Sequence, residues 1–81
     1  MNMELAAAKG KLADLTLQIV EAEMAVEEER RHMREATGAM ITTRGLDSAR
    51  IAFLAARLVK AIEDLKLLVA EAKAIREEYN L

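Results

Sequence analysis

Apolar side chains recur at Leu5, Leu12, Ile19, Val26, Met33 and Met40, one every seventh residue, and Ala8, Leu15, Ala22 and Ala36 follow members of that series by three. Steps that alternate three and four keep all of these on one stripe of a 3.6-residue helix, the a and d positions of a coiled coil. The pattern predicts a first helix from about residue 3 to about residue 44. A left-handed Gly45 would end it by setting Leu46 over Ile41. An earlier stop at Gly38 is the alternative, since the loop that would follow contains the weaker helix formers Ile41, Thr42 and Thr43.

Asp47 or Ser48 can accept hydrogen bonds from the free amides of a following helix, expected from about 48 to about 79. Its seam reads Ile51, Leu54, Leu58, Ala61, Leu65, Leu68, Ala72, Ile75 and Tyr79, again in alternate steps of four and three. A turn confined to about 45–47 forces the second helix back along the first. The expected fold is therefore all-α: one domain over residues 1–81, an antiparallel, coiled-coil-like two-helix hairpin held by Leu5, Leu12, Leu15, Ile19, Val26, Leu54, Leu58, Leu65, Leu68 and Ile75. With that turn, Glu29 faces Glu63 and Asp64, and about ten residues at the start of helix 1 overhang without an intramolecular partner.

A hairpin uses one stripe on each helix, yet helix 1 also carries Ala6, Ala13, Leu17, Val20 and Met24 off its seam, and helix 2 carries Phe53, Ala55, Val59, Ile62, Leu67 and Val69. Burying a Leu, Ile, Val, Phe or Met side chain contributes about 1.5–3 kcal/mol, a large increment for so short a chain. Leu17, Val20, Met24, Val59, Ile62, Leu67 and Val69 are accordingly the expected contact with a second helical surface. That surface is either another copy, most simply completing a homodimeric four-helix bundle, or a helical client protein.

Composition supports this class. The chain is 53% hydrophobic and 2% aromatic with no proline, which favours helix over sandwich or barrel. Without cysteine there is no disulfide framework, thiolate metal site or thiol nucleophile, and a reducing cytoplasm is the expected setting. The opening Met1-Asn2-Met3-Glu4-Leu5 lacks the basic-then-apolar pattern of an export signal, and no apolar run suggests a membrane span.

Net charge is −2, but it is segregated. Residues 1–29 carry Lys9 and Lys11 against seven acids, a balance of −5. Residues 30–57 carry Arg30, Arg31, Arg34, Arg44, Arg50 and Arg57 against Glu35 and Asp47, a balance of +4. The basic segment folds to the turn end, so an antiparallel neighbour would set opposite charges side by side. The same arginines provide the alternative function, a small dimeric regulator that grips nucleic-acid phosphates with Arg30, Arg31, Arg34, Arg44 and Arg50. Stacking aromatics and a high isoelectric point, both common in such proteins, are missing.

Glu29 occupies a d position, and Glu29 to His32 has the Glu-x-x-His spacing found in four-helix carboxylate metal proteins. Glu29, His32 and Asp64 are thus the candidate metal ligands. The competing expectation is that Glu27, Glu28, Arg31, His32 and Glu35 pair along one solvated face, while Glu29 meets an arginine such as Arg57. With one histidine, no cysteine and no phosphate-cradling glycine loop, neither catalysis nor a cofactor is expected.

Overall fold

A computed structural model describes residues 3–81 of the chain. Two long helices, α1 (Met3–Thr37) and α2 (Ser48–Tyr79), are joined by a connection that holds one short 3-10 turn, Thr43–Gly45. Lys11 meets Glu71 and Glu29 meets Arg57, so the helices run antiparallel. The hairpin is a rod with extents of 66 × 15 × 14 Å. Met1 and Asn2, to which the expectation about export also refers, lie outside the described residues. Among the described residues no helix is long and apolar enough to cross a membrane.

The a/d stripes meet as the spacing predicts. Ala8, Leu15, Leu54 and Ala72 are buried, and Leu5, Leu12, Ile19, Val26, Leu58, Leu65, Leu68 and Ile75 are half-buried beside them. The seam is thin, however, because two cylinders touch along a line and leave most of each side chain's flank in water. Among the described residues no large side chain is completely buried.

Helix 1 stops seven residues short of the expected end, at Thr37 instead of about 44. Gly38 makes the stop: a Cβ there would lie 2.9 Å from the Arg34 carbonyl oxygen, a contact that only glycine allows. Just before it, the Thr37 hydroxyl donates to the Met33 carbonyl at 2.8 Å, a back-bond that favours a bend over continuation. Beyond it, Ile41 N–H donates to the Gly38 carbonyl at 3.0 Å. Thr42 then caps the 3-10 turn, both its hydroxyl and its carbonyl accepting from Gly45 N–H at 3.1 and 2.9 Å. Gly45 is not left-handed, as no described glycine has a positive φ. Met40, the last member of the heptad series, is 97% exposed.

The start of α2 is capped by Asp47, whose carboxylate accepts from Arg50 N–H at 3.1 Å, while Ile51 N–H donates to the Asp47 carbonyl at 2.9 Å. Its end is a Schellman turn: Asn80 is left-handed (φ 55°, ψ 45°) and Leu81 N–H donates to the Arg76 carbonyl at 2.8 Å.

The shorter α1 changes the register. With the turn centred earlier, the start of α1 reaches the end of α2 and the expected overhang disappears. Lys11 and Glu71 form a 3.2 Å ion pair, and Ala8 lies in a groove with Ile75 and Tyr79. Glu29 accordingly faces Arg57, and not Glu63 and Asp64.

Candidate functional site

Glu29 is the one charged side chain among the described residues that is buried, 8% exposed. Its d position turns it into the seam, where a carboxylate needs a partner to offset lost hydration. Arg57, one helical step off the α2 seam, provides it. Nε donates to both carboxylate oxygens at 3.2 Å and Nη2 donates to Oε1 at 2.9 Å. The guanidinium also lies over the Phe53 ring, 5.7 Å from its centroid. Hydrogen bonds from Arg57 hold the Glu29 carboxyl below the usual carboxylate range against the opposing effect of burial, and the same contact raises Arg57.

The candidate metal ligands are not assembled. The Glu29 oxygens are taken by Arg57, and Asp64 directs its carboxylate to Lys60 at 3.1 and 3.3 Å. His32 lies between two acids of its own helix, Nε2 3.2 Å from Glu28 and Nδ1 3.7 Å from Glu29. Arg57 and Lys60 line the same depression as Glu29 and Asp64, so two cations already stand where a metal ion would be held. Among the described residues no three His, Cys, Asp or Glu side chains are grouped to bind a metal. The pairing along a solvated face is the arrangement found: Glu27 takes Arg30 at 2.6 Å, and Arg31 bridges Glu28 and Glu35. The contact with Arg31 lowers the Glu28 carboxyl.

Those pairs divide the arginine set. Arg30 and Arg31 are engaged by acids of α1, whereas Arg34, Arg44 and Arg50 make no ion pair among the described residues. Arg34 ends α1, Arg44 lies in the 3-10 turn and Arg50 in the first turn of α2, so the free guanidinium groups gather at the turn end of the rod.

The remaining feature is apolar. Leu17, Met24 and Leu67 are 62%, 67% and 70% exposed, and Val20, Val59 and Val69 are exposed as well. Ile62 differs from these, being half-buried by the hairpin itself. Helical geometry sets where they point. On α2, Arg57 and Glu71 lie to one side of the seam, while Ala55, Ile62 and Val69 lie about 75° to the other. The ion pairs to Glu29 and Lys11 therefore mark one face of the hairpin, and the row of Ala55, Ile62 and Val69 opens on the opposite face, whereas Leu67, about 160° around the helix from Val69, lies on the ion-pair side. On α1, Met3, Ala6, Gly10, Ala13, Leu17, Val20 and Met24 step alternately by three and four, a second complete seam roughly 150° around the helix from the first. Met3 and Gly10 extend this seam beyond the off-seam apolar positions named from the sequence, and the spacing alone carries that signal. A groove lined by Val20, Met24, Glu27, Glu28, Arg31 and Arg34 continues this seam toward the turn.

Compared with known proteins, this chain matches no protein-family model, no curated protein and no solved structure.

Proposed function

We propose that this chain is a non-enzymatic interaction module of the cytoplasm that works by covering its second apolar stripe with another helical surface. Self-association, in its simplest closed form a homodimeric four-helix bundle, comes first, and a helical client protein can use the same stripe. One observation supports this above all. Leu17, Val20 and Met24 on α1 and Val59 and Val69 on α2 remain exposed after the hairpin has closed, at helical spacing outside the first seam. Scattered exposed apolar residues are ordinary, but contiguous rows of them mark contact sites.

Light scattering behind size exclusion tests the proposal. The wild type is expected to run as a dimer or larger assembly, and a Leu17→Glu, Val20→Glu variant as a less stable monomer. A helical wild-type monomer at every concentration would remove self-association and leave the stripe for a client.

A nucleic-acid role draws on a different observation, the free guanidinium groups of Arg34, Arg44 and Arg50 at the turn end. If that role holds, a gel shift at low salt should weaken steeply as salt rises and vanish when the three become glutamine. Absence of any shift at low salt would dismiss it.

A further inference from the structure

The rod is electrically polar along its length. Its turn end, residues 30–57, balances at +4. Part of that charge is matched within the hairpin, but Arg34, Arg44 and Arg50 are not. Toward the middle and open end, Glu4, Asp14, Glu21, Glu23, Glu63 and Glu78 have no ion-pair partner among the described residues, against Lys9, Lys66 and Arg76 in the same position, which leaves that part with an excess of unmatched acid. Unmatched arginine at the turn is thus separated from the excess of unmatched acid over the middle and open end of a rod 66 Å long, by more than the ~8 Å over which physiological salt screens.

We infer that the second apolar stripe takes another copy of this chain in head-to-tail sense, the turn end of each copy lying over the open end of its partner. This rests on the self-association proposed above and specifies its direction. Side-by-side packing in the same sense would bring the two sets of free arginines together and the two acid-rich remainders together. Reversal sets each against its opposite and brings the rods under a two-fold axis perpendicular to their length, which closes the pair. The area suffices: one face of a 66 × 15 Å rod offers about 1,000 Å², against the ~800 Å² per partner of a standard stable interface.

The chain has no cysteine, so a spin label on Thr43→Cys, exposed in the turn, reports one position per copy. Head-to-tail pairing places the two labels at opposite ends, with a dipolar distance approaching 66 Å. A distance within about 30 Å, as helix spacing across a same-sense bundle would give, overturns the inference. If concentrated samples show no dipolar signal between copies, self-association itself has failed, and its direction with it. An Arg44→Gln, Arg50→Gln variant adds an independent sign. Head-to-tail pairing weakens by roughly fivefold at low salt, whereas unchanged or tighter association would count against it.

Discussion

Glu29 stands where the seam calls for an apolar side chain, and Arg57 is what makes it tolerable. Because the folded carboxyl titrates below its unfolded value, the pair's stabilisation is complete above about pH 4.3 and is lost as pH falls through the lowered folded value. A Glu29→Leu variant should be at least as stable as the wild type at pH 7 and lose less between pH 5 and 3, since a well-packed leucine replaces a buried carboxylate whose cation stays half in water. Arg57→Leu should be less stable than both at pH 7, because it leaves the carboxylate without its cation. Urea melts at one fixed protein concentration check all three, and equal acid slopes in wild type and Glu29→Leu would show that the pair is energetically silent. Two glycines make a contrasting test. An added Cβ at Gly10 meets nothing within 4 Å, so Gly10→Ala should stabilise the hairpin by about 0.5–1 kcal/mol through helix propensity alone. Gly38→Ala should destabilise it, because its Cβ runs into the Arg34 carbonyl. The Glu29 contact was legible beforehand, since a buried carboxylate beside an arginine-rich partner helix has few alternatives. Only the register inferred for the turn, which sets Glu29 opposite Glu63 and Asp64, was misplaced.

At the scale of the helices, the seam could be read from the chain because alternate steps of three and four follow from backbone geometry alone. Leu15 and Leu54 are buried where that spacing puts them. The end of α1 was read less well: the spacing favours Gly45 with Gly38 as the alternative, and Gly38 is the stop found. Met33 and Met40 keep the heptad, yet the helix stops between them because Gly38 lets the backbone close on the Arg34 carbonyl, a contact invisible to periodicity. Every error of register followed from that one residue, including the supposed overhang of the first turns of α1. Removal of the α2 cap by Asp47→Ala should cost about 1 kcal/mol, measured by thermal or urea unfolding. Leu54→Ala should cost about 2–4 kcal/mol through the hairpin seam. Leu17→Ala is the more telling change. In an isolated hairpin this exposed side chain contributes almost nothing, so a loss of about 1 kcal/mol or more would show that something covers it.

For the whole molecule, the balance is one of surface. A pair of helices meeting along a single line buries few large side chains, and this hairpin completely buries none among the described residues. What it leaves in water is a second seam on α1 and an apolar flank on α2, with three free arginines at one end. If another copy supplies the missing half of the core, folding and association are one equilibrium and stability must depend on concentration. The most direct test is therefore thermal unfolding, followed by circular dichroism, over about a hundredfold range of protein concentration. The midpoint is expected to rise steadily with concentration in the wild type, and to be lower and independent of concentration in the Leu17→Glu, Val20→Glu variant. A wild-type midpoint that stays constant across the whole range would contradict self-association outright.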